Sequence, residues 1–266
     1  MTNFPLLTYE PTRYPGCCLS LSEPLLATIR TVLDSAPHLD DKRHDGYKPW
    51  LELDPALILS IGSGTGLLEE LLHIYLNKVD HASIDLNSAK NWRVEGVEVN
   101  PAVNIYLPED RISHVLGTWA VLETRACEAA VLMFVYPRDG ALVRRYIDAF
   151  MTSSTRARGQ RGHESCESES ESESDRENEG EDGSEAKNSN EGVDYENHGE
   201  KGSGSRRNPR KGVQLVLWLG PKCDWDDTGL RLFHMDAEFE VLEMRDDVGL
   251  AEYEMLGVLR QKATLM

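Results

Sequence analysis

The stretch "LILSIGSGTGLLEELL", residues 57–72, decides the fold. An apolar run, 56–61, ends at three alternating glycines, Gly62, Gly64 and Gly66, and a helical pattern, "GLLEELLHIYL" at 66–76, follows at once. Buried strands read as short continuous apolar runs, and helices as apolar residues three and four apart. Glycine accepts left-handed backbone and lets a ligand approach the chain closely. The first turn of a helix offers free N–H groups at the positive end of its dipole. Strand, glycine turn and helix in that order make either a ligand-binding crossover or a tight turn without a ligand, and the rest of the chain must distinguish the two.

Working outward, "SEPLLATIRTVLDSA" (22–36) predicts an amphipathic helix with Ser22 as N-cap and Pro24 in its first turn. Strands are expected at 94–99, 112–117, 128–136 and 213–220, with a helix at 139–150 and a short helical stretch near 226–234. Residues 128–136, "EAAVLMFVY", are apolar nearly throughout, as a central parallel strand is. Two last strands, 239–246 and 253–261, lie close enough in sequence to pair antiparallel. The expected fold class is α/β, a doubly wound, mostly parallel seven-stranded sheet with an antiparallel C-terminal hairpin.

An acidic run interrupts that alternation. Residues 164–200 hold 15 Asp and Glu against Arg176 and Lys187, so most of the chain's net charge of −18 is local. Such a segment buries too little apolar surface to offset its ordering entropy, and a disordered insertion is expected over 152–211. The expected organisation is an N-terminal segment at 1–46, a first part of the sheet domain at 47–151, the insertion, and the remainder at 212–266. Long loop insertions cost little stability, because closure entropy grows only logarithmically. Ser168, Ser170, Ser172 and Ser174 each have an acid three residues on, which makes the insertion a candidate substrate of an acidophilic kinase or a docking arm for a partner. "SRRNPRK" (205–211) reads either as a nuclear-import signal or as a charge balance to the acidic run.

The overall charge argues against a general nucleic-acid or anionic-membrane binder. The first residues lack the pattern of a signal peptide, and no stretch reaches about 18 apolar residues, so a cytoplasmic or nuclear location and no membrane span are expected. Cys17, Cys18, Cys127, Cys166 and Cys223 form no C-x-x-C and read as reduced thiols. No zinc pattern and no paired histidines suggest a metal.

The spacing of the glycines narrows the ligand. The dinucleotide fingerprint is G-x-G-x-x-G, whereas here Gly62-Ser63-Gly64-Thr65-Gly66 is G-x-G-x-G and the last fingerprint position falls on the bulky Leu67. This stretch resembles motif I of the class I S-adenosylmethionine-dependent methyltransferases, usually acid-x-G-x-G-x-G before a helix. The acidic position here holds Ser60, which can hydrogen-bond but carries no charge. The resemblance implies that the Gly62–Gly66 loop, with Ser60 and Ser63, holds the methionine end of the cofactor. An acid at the end of the next strand then binds the ribose hydroxyls, and "VEGVEVNP" supplies Glu98 with Asn100 beside it. Glu98 lies 32 residues past Gly66, a longer separation than usual, which the polar stretch 77–93 accounts for as a loop. Thr118 and Trp119 fall where the adenine is lined, Trp119 reading equally as a core tryptophan. "FVYPRDG" stands where residues face the transferred methyl, which makes Tyr136 and Arg138 the candidate acceptor-side residues, although the D/N-P-P-Y/F motif of many nitrogen methylating enzymes is missing. Arg13 and Tyr14 belong to a segment that in similar enzymes folds over the cofactor, and Asp224 with Trp225 are candidates to wall the acceptor pocket.

The function implied is methyl transfer from S-adenosylmethionine to a small molecule or protein. Two other readings stand beside it: a non-catalytic methyltransferase-like scaffold, and a nicotinamide-dependent oxidoreductase.

Overall fold

The computed structural model describes residues 4–36, 55–78, 91–151, 213–233, 239–244 and 246–262. The acidic insertion with its serines and flanking basic clusters, Cys166, and most of the polar stretch 77–93 lie outside them. So do the segment boundaries expected at 46 and 152. The described residues all belong to one compact unit.

The chain opens with a two-rung antiparallel ladder, β1 (Thr12–Arg13) on β2 (Ser20–Leu21), which the sequence did not announce. Helix α1 (Glu23–Asp34) starts as expected, with the Ser22 hydroxyl accepting from Leu25 N–H at 3.2 Å. Then come β3 (Ala56–Ile61), α2 (Leu67–Leu76), β4 (Trp92–Glu98), β5 (Ile112–His114), a four-residue α3 (Glu123–Ala126) and β6 (Val131–Val135). After them follow α4 (Gly140–Phe150), β7 (Leu215–Pro221), the short α5 (Trp225–Thr228), β8 (Phe239–Met244) and β9 (Glu254–Gln261).

Seven strands form one sheet in the order β5-β4-β3-β6-β7-β9-β8. The first five are mutually parallel. The terminal pair is the expected antiparallel hairpin, with β9 inserted between β7 and the edge strand β8. Chain order reverses at β3: β4 and β5 are laid to one side, β6 and β7 to the other. Ligands bind at the carboxyl ends of the strands at such a reversal point.

The period-two alternation of strands divides the core between the sheet's two faces. Leu57, Leu59 and Ile61 of β3 pack with Tyr146 and Ile147 of α4 and with Trp218 and Trp225. Ile58 turns to the opposite face, with Leu25, Ile29, Leu68 and Leu72 of α1 and α2. Ser60 has the same parity as Ile58, so its side chain points at α2. Trp225 is 2% exposed and meets Trp218 edge-on, with ring centroids 5.2 Å apart. The expectation that it walls an acceptor pocket is thereby corrected, because its indole is committed to the core and its N–H donates to Glu243. No helix among the described residues is long and apolar enough to cross a membrane.

Candidate functional site

The register of the sheet brings three strand ends side by side. Ser60 of β3 pairs with Gly96 of β4 and with Met133 of β6, so the glycine loop lies between Glu98 and Tyr136. Gly62, Gly64 and Gly66 all take positive φ, 83°, 55° and 78°, a region where other residues are strained. Gly62 N–H and Ser63 N–H donate to Val97 O, closing the loop on β4. Gly64 N–H donates to Glu98 Oε2 at 2.8 Å. The other carboxylate oxygen accepts from Val99 N–H at 2.8 Å and Asn100 N–H at 3.4 Å. Glu98 is therefore fixed by backbone amides across the mouth of the loop.

The glycines serve different ends. A Cβ on Gly66 would meet Leu107 Cγ at 2.7 Å and Asn104 Oδ1 at 2.9 Å, so that position is packed. A Cβ on Gly62 would come no closer than 3.6 Å to any atom, and one on Gly64 no closer than 3.9 Å. Those two positions make only ordinary contacts, and Gly62 is exposed while Gly64 is half-buried.

The other sequence-predicted residues are placed as follows. Ser63 is buried beside the loop, and its hydroxyl has no partner among the described residues. Asn100 uses its side-chain oxygen to accept from Ala102 N–H, capping the turn after Glu98. Thr118 is exposed, and Trp119, 63% exposed, folds against Gly117 at the same edge of the sheet. Trp119 is thus no core tryptophan. Arg138 is exposed past the end of β6. Tyr136 has a left-handed backbone, φ 49°, a strained conformation for a residue with a side chain and one that clusters at functional sites. Ser60 departs from the expected ligand contact: it is fully buried, and its hydroxyl donates to Glu69 Oε1 at 2.6 Å.

Two acids that the sequence reading passed over complete the picture. Glu254, fully buried on β9, accepts from Tyr136 Oη–H, from Ser20 N–H at 3.2 Å and from Ala251 N–H at 3.2 Å. It ties the N-terminal segment, the end of β6 and the C-terminal hairpin to one carboxyl group. Burial and this bond hold the Tyr136 phenol well above its ordinary pKa. Arg13 reaches the same phenol at 3.4 Å and lies over the Tyr253 ring. The segment carrying Arg13 and Tyr14 is pinned by the buried Leu19 and Leu21, and its Gly16 packs on Thr65 of the glycine loop. Glu69 is the second acid, 1% exposed on α2; burial pushes it up to about 7, against hydrogen bonds from Ser60 and its own backbone. Cys17, Cys18 and Cys223 are free thiols, and burial pushes Cys17 up to about 12.

A glycine loop after the strand where order reverses, five parallel strands and a last strand inserted antiparallel decide the fold. It is a doubly wound α/β fold, mostly parallel, with an antiparallel C-terminal hairpin. Solved structures similar to the chain include a human methyltransferase 10 domain containing protein, at 11% identity and TM-score 0.42, covering 92% of this chain and 85% of that one. Another is the precorrin-6y C5,15-methyltransferase of Geobacter metallireducens, at 11% identity and TM-score 0.43, covering 98% of this chain and all of that one. No protein-family model matches the sequence, and no curated protein matches it.

Proposed function

We propose that this chain is an S-adenosylmethionine-dependent methyltransferase. The observation that carries the reading is the bond between Gly64 N–H and Glu98 Oε2, 2.8 Å, which joins the glycine loop to the acid of the neighbouring strand at the reversal point of the sheet. The residues fit a nucleoside with a charged amino-acid tail. Gly62 and Gly64 are not packed as Gly66 is, and Glu98, held by three backbone amides, keeps a lone-pair site on Oε2 for a ribose hydroxyl.

In this reading Gly62, Ser63, Gly64 and Gly66 hold the methionine end, Glu98 the ribose, and Thr118 with Trp119 the adenine. Asn100 acts by fixing the turn behind Glu98. Bound there, S-adenosylmethionine supplies a sulfonium methyl group that a nucleophilic acceptor takes in line. The chain's own part is orientation and exclusion of water. Tyr136, tethered by Glu254 and Arg13, orients the acceptor, and Arg138 pairs with an acidic group on it. The acceptor is a small molecule or a protein side chain.

The test is transfer of labelled methyl from S-adenosylmethionine to fractionated extract of the native cells. Label entering one fraction, and lost with Gly64→Arg, supports the reading. Tight binding of the cofactor with no label in any fraction favours the non-catalytic scaffold instead.

A further inference from the structure

The acid absent from position 60 has a counterpart on the helix. Ser60 stands two residues before Gly62 and Glu69 three after Gly66, so the pair brackets the loop, joined at 2.6 Å. Glu69 Oε2 is buried and has no hydrogen-bond partner among the described residues. A second unpartnered polar atom, Ser63 Oγ, lies buried in the same loop. The titratable groups that act on Glu69 are Glu98 from β4 and Cys17 from the N-terminal segment, and no cation is among them. Its sequence neighbour Glu70 turns instead to Arg111. An ionised carboxylate in such a place is costly unless a cation reaches it. Among the described residues no Lys or Arg reaches it, which leaves the place open to a cation carried by a ligand.

We propose that Glu69 receives the ammonium group of the ligand's amino-acid end, with Ser60 as its positioning residue, so that helix α2 supplies the charge that the strand lacks. The inference rests on the methyltransferase reading. It predicts that binding is controlled by pH. Glu69, raised to about 7, is mostly protonated at pH 6 and mostly ionised at pH 8, and only the ionised form attracts an ammonium. The Cys17 thiol stays neutral across that range.

The experiment titrates the full chain by calorimetry with S-adenosylhomocysteine and with its deaminated analogue, at pH 6 and pH 8. Wild type is expected to prefer the amino-bearing probe roughly ten- to hundredfold at pH 8, the worth of one charge-assisted pair, with a smaller preference at pH 6. Glu69→Gln is expected to bind both probes alike, and the deaminated one as wild type does, which also shows that the variant is folded. Ser60→Ala removes the bond that favours ionised Glu69, so the pH at which half the preference is lost moves upward. A role for Ser60 in packing alone leaves that pH unmoved. Retention of the preference by Glu69→Gln, or equal loss of both probes by a folded variant, overturns the proposal. If Glu69→Gln does not fold, a wild-type preference that is flat from pH 6 to pH 8 overturns it equally. Binding of neither probe by wild type sinks the methyltransferase reading itself, a different result from the loss of selectivity.

Discussion

Gly66 and Gly64 are two residues apart, both left-handed, and should answer substitution by alanine in opposite ways. At Gly66 the new Cβ meets Leu107 Cγ at 2.7 Å and Asn104 Oδ1 at 2.9 Å. Neither neighbour is free to retreat: Leu107 is buried, and Asn104 bonds both the N–H and the carbonyl of Leu107. The left-handed backbone costs about 1–2 kcal/mol for a non-glycine residue, and overpacking adds about 1–3 kcal/mol. Gly66→Ala should therefore lose roughly 2–5 kcal/mol in all. At Gly64 the nearest atom to a Cβ is the Gly16 carbonyl oxygen at 3.9 Å, so only the backbone term applies, about 1–2 kcal/mol. Urea unfolding followed by tryptophan fluorescence reads both, since Trp218 and Trp225 are buried. The midpoint should fall further for Gly66→Ala, with unchanged slopes. Cofactor affinity should show the reverse order, because Gly64 is half-exposed and bonded to Glu98 whereas Gly66 is buried. A Gly64→Ala variant as unstable as Gly66→Ala would refute the assignment of packing to one glycine and ligand approach to the other.

Two further outcomes follow from buried groups. Trp225→Ala should cost about 3–5 kcal/mol by the same unfolding assay, as expected for an aromatic residue deleted from a core; the folded fraction should keep its cofactor affinity, and selective loss of binding would return Trp225 to the site. The folded Glu69 carboxyl is raised from 4.5 to about 7, so the folded state binds the extra proton and stability falls as pH rises from about 4.5 through about 7. Measured without ligand, wild type should lose about 3 kcal/mol relative to Glu69→Gln between pH 4.5 and pH 8; a constant difference would contradict the buried, unpaired state of Glu69.

Much of the fold was legible because the sheet's interior is parallel and buried. Apolar runs ending at Ile61 and Val135 have the length of strands, and the three glycines locate the crossover. The site was legible only where a residue acts from the strand end that carries it, as Glu98 does. Glu69 sits in "GLLEELL", where the helical period places Leu68 and Leu72 inside and gives an acid no reason to be buried. Its carboxyl turns to Ser60 on the sheet, a contact across nine residues that the helical period does not announce. The available signal was Ser60, a polar residue on the α2 face of an apolar strand. Glu254 was hidden for the same reason: its partners Ser20 and Tyr136 are 234 and 118 residues away. Trp225 was misread because an aromatic residue just past a strand end suggests a pocket wall, and only the T-shaped contact with Trp218 shows which way it turns.

The most direct measurement is a calorimetric titration of the purified chain with S-adenosylmethionine, S-adenosylhomocysteine and NADH, with Gly64→Arg as the control. The first two should bind, the substitution should abolish both, and NADH should not bind. Binding of NADH alone, or of none of the three, would contradict the methyltransferase reading.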